Sequence, residues 1–131
     1  MKGVAALALL ALAGCATARD VTPALMGNWG GEHIELIVGS LDSAVVLDCA
    51  EGTIFGPYSV DRSGNFEWIG DFTRGTGGPE RVGQEPPSVP ATYSGVLRGP
   101  EMTISISLAD GQSLGPFKLT RFEEARLTRC L

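Results

Sequence analysis

Met102-Thr103-Ile104-Ser105-Ile106-Ser107-Leu108 places an apolar residue at every second position and a hydroxyl residue between. A strand has a side-chain period of two, so one face of this segment is apolar and the other polar. That is the pattern of a half-buried strand in an antiparallel sheet. The alternation recurs upstream. Phe66, Trp68 and Phe72 share one parity against Glu67 and Asp71, and Ile34, Leu36 and Val38 form a third apolar face. Helical periodicity is almost absent beyond the N-terminal region. Asp61-Arg62-Ser63-Gly64 reads as a type I turn with glycine in the left-handed position, and Asp110-Gly111 as a tight hairpin. Residues 39–43 and 98–101 read as two further hairpin loops. About seven or eight short strands joined in this way predict an all-β domain. The expected architecture is a small antiparallel up-and-down barrel, with a small β-sandwich as the alternative.

Other segments are less regular. Residues 75–90 contain Gly77-Gly78-Pro79 and Pro86-Pro87 and show no strand pattern. A loop of that length on a compact scaffold is commonly functional, which makes Gly77, Gly78, Pro79 and Arg81 a candidate partner loop. Residues 123–127 are expected to form one helical turn. Residues 29–38 are expected to pair with 44–49 around Leu41, which would bring His33 close to Cys49.

The N-terminus has a different character. Lys2 precedes an apolar run, Val4 to Ala13, of a length that suits a secretory signal; a membrane-spanning helix needs about 20 residues. Leu12-Ala13-Gly14-Cys15 closes that run and resembles the lipobox of bacterial lipoproteins. The resemblance implies cleavage before Cys15, a diacylglyceryl thioether on its sulfur and N-acylation of the new terminus. It divides the chain into a signal helix (1–14), a lipidated cysteine with a tether (15–24) and a single barrel domain (25–131). A tether of nine extended residues reaches at most about 30 Å. Ala16 lacks the aspartate that retains enteric lipoproteins in the inner membrane, so the resemblance implies an exported protein in the outer membrane, facing the periplasm.

The whole chain carries a formal charge of −5, and loss of Lys2 with the signal makes the domain more acidic still. An acidic domain without a basic cluster argues against nucleic acid and against electrostatic attraction to anionic lipid; the membrane is reached through the acyl chains. With Cys15 acylated, Cys49 and Cys130 remain as an even pair in an oxidising compartment and read as a disulfide. Closing a loop of some 80 residues contributes roughly 4–5 kcal/mol in the chain-entropy description. The competing reading, a Cys/His nucleophile or thiolate metal site, has one histidine and no CxxC behind it.

Gly27-Asn28-Trp29 resembles the G-x-W that opens the first strand of calycin barrels, the lipocalin and avidin relatives. There the Trp closes one barrel end and an Arg from a late strand packs across it. Arg121 shares the parity of Phe117 and Leu119, so the resemblance implies barrel closure by Trp29 and Arg121. More of the chain resembles a group of uncharacterised proteobacterial lipoproteins: Trp29-Gly30-Gly31-Glu32-His33, Asp48-Cys49-Ala50-Glu51-Gly52-Thr53-Ile54, Gly77-Gly78-Pro79, Ala91-Thr92-Tyr93-Ser94-Gly95 and Arg129-Cys130-Leu131. His is common in that group where this chain has Glu51. No activity attaches to the resemblance.

His33, the only histidine, stands near Glu32 and Glu35, with Asp48 and Glu51 one strand later. A histidine among carboxylates can hold a divalent cation or act as an acid/base pair, but a surface or structural role is the simpler reading. Tyr93, Tyr58, Trp68 and Phe55 either line a barrel mouth or fill the core. There is no P-loop or HExxH. The expectation is a non-enzymatic binding or structural lipoprotein that needs no cofactor or metal and meets a protein partner through the 75–90 loop. An inhibitor of a protease or lysozyme and a carrier of a small apolar ligand are the alternatives.

Overall fold

The computed structural model describes residues 18–75, 83 and 86–128. The proposed signal helix, Cys15, Gly77, Gly78, Pro79, Arg81 and Cys130 lie outside the described residues. The fold is a closed eight-stranded antiparallel barrel. Its strands are β2 (Gly27–Gly31), β3 (Ile34–Val38), β4 (Asp42–Leu47), β5 (Ala50–Phe55), β7 (Asn65–Arg74), β8 (Ser88–Arg98), β9 (Glu101–Leu108) and β10 (Ser113–Arg121). Each pairs with the next in this order, and β10 returns to β2 to close the ring. Two short strands, β1 (Arg19–Asp20) and β6 (Ser59–Val60), pair outside the barrel, and α1 (Thr22–Leu25) follows β1. The all-β expectation and the up-and-down barrel are therefore borne out, and the sandwich is not.

Alternation in sequence becomes alternation in space. Met102, Ile104, Ile106 and Leu108 of β9 all point inward and are buried, as are Phe66, Trp68 and Phe72 of β7 and Ile34, Leu36 and Val38 of β3. An eight-stranded barrel is just wide enough for its own side chains to fill it. Tyr93, Phe72, Ile106, Met102 and Leu119 occupy the interior with at most 1% exposure, so this barrel has a packed core. Room for Tyr93 comes from Gly52. A Cβ there would stand 2.2 Å from the Tyr93 hydroxyl, which donates to the Asp71 carbonyl at 2.6 Å. The Asp71 carboxylate in turn accepts the Thr53 N–H at 3.0 Å, so the β5–β7 ladder is locally rewired around one buried phenol. Burial raises the Tyr93 pKa well above that of a free phenol, with the Asp71 carboxylate adding to the effect.

Four local expectations need correction. Residues 29–38 are not one strand but the hairpin β2–β3, turning at Glu32 and His33. His33 adopts φ 67, a left-handed conformation that non-glycine residues seldom take, so no turn residue announced it. Residues 123–127 form no helix. They turn back at Phe122 (φ 61) and run extended along the outside of β2, bridging to it in parallel at Glu32 and Arg126. Gly30 is the reason that this fits, because a Cβ there would lie 2.2 Å from the Glu123 carbonyl oxygen. The loop ends before residue 90, since β8 begins at Ser88 and Pro90 pairs with Asp71. Its carbonyl accepts from Ala109 just past the last rung of the β8–β9 ladder, where a missing donor costs least. Finally, residues 19–24 are not tether. β1 pairs with β6, and the Val21 N–H donates to the Tyr58 carbonyl at 2.8 Å, so only residues 15–18 remain for that role.

Candidate functional site

Antiparallel strands put alternate turns at opposite ends of a barrel. One end carries α1, β1, β6 and the turns before β4, β7 and β9, and it is capped. Leu25 is buried there, and its carbonyl accepts the Trp29 indole N–H at 2.9 Å. The Arg121 guanidinium lies 5.9 Å from the Trp29 ring centroid and 4.8 Å from that of Phe122, and its Nη2 donates to the Met26 carbonyl at 3.3 Å. A polar network stitches the cap to the barrel. Thr22 Oγ1 accepts the Tyr58 N–H at 3.0 Å, the Tyr58 hydroxyl donates to the Ile54 carbonyl at 3.0 Å, and Ser43 donates to that hydroxyl. Asp20 receives both the Thr22 hydroxyl and its N–H, and these hold its carboxyl below the usual range. Burial raises the Tyr58 pKa despite the Ser43 hydrogen bond. Trp68 stacks on Phe66 with centroids 3.8 Å apart and donates to the Ser59 carbonyl.

The opposite end carries the turns after β2, β4 and β9, and both ends of the β7–β8 connection. It is open. A cleft of about 280 Å³ lies here, with Leu47, Phe72, Leu114 and Phe117 supplying its apolar wall and His33 and Arg74 at its rim. A bulge in β10 between Leu114 and Phe117, with Gly115 at φ 93, opens the wall at this point. Arg74 lies 5.9 Å from the Phe72 ring centroid and donates to the Gln112 side-chain oxygen.

Beside the cleft, the chain's return segment is clasped to two turns. His33 Nδ1 stands 2.6 Å from one Asp48 oxygen, and the other accepts the Thr128 N–H at 2.7 Å. The His33 N–H donates to the Arg126 carbonyl at 2.8 Å, and the Arg126 N–H to the Gly31 carbonyl at 3.0 Å. The Arg126 side chain pairs with Glu32 at 2.7 Å and Glu123 at 3.3 Å. The Arg126 hydrogen bond lowers the Glu32 pKa, and Glu32 raises that of Arg126.

Of the carboxylates grouped around His33 in sequence, the fold brings only Asp48 to it. Glu32 turns to Arg126, and Glu35 and Glu51 occupy outward positions on β3 and β5. Among the described residues no group of three His, Cys, Asp or Glu side chains is placed to hold a metal. Tyr58, Trp68 and Tyr93 are core, whereas Phe55 is half exposed near the capped end. Leu114, Arg74 and Arg126 were not singled out in the sequence, and Phe117 was named only for its parity with Leu119 and Arg121. For Arg126 the one advance signal was Gly30, which marks a close backbone approach without saying that residues 123–125 make it. Comparison of the chain with protein families, curated proteins and solved structures finds no match in any of the three.

Proposed function

We propose that this is a lipoprotein of the cell envelope, acylated at Cys15 and held in the outer membrane facing the periplasm, with a non-enzymatic binding role at the open barrel end. One observation carries the binding reading: among the described residues, side chains seal the barrel interior at one end, whereas the other end presents a cleft of about 280 Å³ with an apolar wall. Such a cleft suits one or two apolar side chains of a protein partner. Arg74 at its rim is placed to orient a carboxylate or carbonyl. The packed interior limits a small apolar ligand to this mouth, since Tyr93 and Ile106 below it have no measurable exposure. The His33–Asp48 pair supports a structural role, because Asp48 spends its second oxygen on the return segment.

The Cys49–Cys130 disulfide belongs to the same reading. Its support is the Thr128–Asp48 hydrogen bond, which holds the chain two residues short of Cys130 beside the turn that carries Cys49. Non-reducing mass spectrometry should find the two cysteines linked.

A photocrosslinking residue at Gln112 in the lipidated protein should give a discrete protein adduct in intact cells, abolished by Leu114→Arg. The same residue at exposed Ile69 should give none. Absence of any adduct from positions around the open end overturns the partner reading, and an unmodified Cys15 in the intact mass overturns the anchor.

A further inference from the structure

The capped end has a surface as well as a seal. Among the described residues seven large hydrophobics are exposed, and four of them, Met26, Leu41, Phe55 and Phe122, belong to this end. Leu41 is 82% exposed and Phe122 is 73% exposed. They are held out by backbone geometry. Gly56 N–H donates to the Leu41 carbonyl at 2.8 Å, Phe55 pairs with Asp42, and Phe122 takes φ 61 at the reversal after β10. Between α1 and the β7 and β9 turns lies a groove of about 320 Å³ with Arg19, Arg62 and Arg121 on its walls. Arg121 Nε is buried there with no hydrogen-bond partner. The carboxylate beside them, Asp61, is committed to the backbone N–H groups of Ser63 and Asn65. A domain that is acidic overall thus gathers three arginines around one groove. The sequence did not show this basic cluster because these residues lie far apart along the chain, and the expectation of no attraction to anionic lipid does not hold at this end.

Chain length says what faces this surface. Cys15 is four residues before Arg19, and β1 pins Arg19 to β6 at the capped end. Four residues span at most about 14 Å, so acyl chains on Cys15 keep this end against the bilayer.

We propose that the capped end is a lipid-docking face: Leu41, Phe55, Met26 and Phe122 enter the headgroup region, and the Arg19–Arg62–Arg121 groove receives the phosphate of an anionic phospholipid. The proposal rests on acylation at Cys15. Apolar side chains at the interface and arginines on phosphate are the two contributions expected of a peripheral lipid contact. The open cleft then faces away from the membrane, where a soluble partner can reach it.

The test compares hydrogen exchange of the lipidated protein in nonionic detergent, in phosphatidylcholine vesicles, and in vesicles of phosphatidylcholine with phosphatidylglycerol. Exchange should slow several-fold at residues 39–42 and 98–101 in vesicles, and further at 61–64 when phosphatidylglycerol is present. Residues 109–112 at the open end should not change. Arg62→Gln should remove the phosphatidylglycerol increment, and Leu41→Ser should weaken the vesicle protection at 39–42. Equal protection of both ends, or none, in a protein whose mass confirms acylation overturns this proposal and leaves the anchor intact. A mass without acyl groups overturns the anchor itself. Protection that grows with protein concentration in detergent identifies a second copy as the occupant and overturns the lipid assignment.

Discussion

The two ends of the barrel are held together by different physics. At the capped end, buried apolar side chains and buried hydrogen bonds hold a helix of four residues against Trp29 and Tyr58. At the open end, a return segment is held to the outer wall by backbone hydrogen bonds and by ion pairs whose side chains are about half exposed. Solvent screening and side-chain entropy weaken exposed pairs, so they position more than they stabilise. Burial makes one end rigid. The described residues of the other end rest on surface pairing instead.

The comparison breaks first if Trp29 is dispensable. Trp29→Ala should cost about 3–5 kcal/mol in chemical denaturation, because it empties a fully buried site and frees the Leu25 carbonyl. A smaller effect is expected for Tyr58→Phe, about 1–3 kcal/mol, since Ser43 and the Ile54 carbonyl lose a shared buried hydroxyl. Gly30→Ala probes the other closure. It should displace residues 123–126 and speed their hydrogen exchange, at about 1–2 kcal/mol, while the cap keeps its protection. Near-neutral behaviour is expected of His33→Gly, within about 1 kcal/mol: glycine relieves φ 67 as the Asp48 pair is lost. A large loss of stability there would show the clasp to be stronger than surface pairing allows.

Acid sharpens the contrast least. Asp20 and Glu32 both have depressed pKa values, so the folded state binds their protons less readily than the unfolded chain does. Their stabilisation is fully present above the ordinary carboxylate pKa, about 4, and is lost as pH falls below it through the depressed folded values. Asp20→Asn and Glu32→Gln should each flatten the fall in denaturation midpoint between neutral pH and about pH 3, and Glu32→Gln alone should release residues 123–126.

Much of the barrel was legible because its signal is local. Period-two runs in β3, β7 and β9 and the turns at Gly64 and Gly111 depend on neighbours in sequence, and each glycine adopts the positive φ its turn requires. The β2–β3 turn was not legible, because His33 is held in a left-handed conformation by Asp48 and Arg126, partners distant in sequence. Nor was the return segment, whose course depends on Gly30 leaving space and on Phe122 reversing the chain. The carboxylate cluster around His33 dispersed for a related reason. Positions two apart on a strand share a face and adjacent ones do not, so Glu35 and Glu51 went outward.

By itself the sequence determined an all-β barrel with its apolar faces turned inward, since alternation and turn chemistry are properties of short segments. Only the tertiary structure decided that the two ends differ. Which loops share an end, where Arg19, Arg62 and Arg121 converge, and how residues 126–128 reach His33 and Asp48 depend on the closed ring in which β10 meets β2. Closure joins segments some ninety residues apart, and no local pattern encodes that contact.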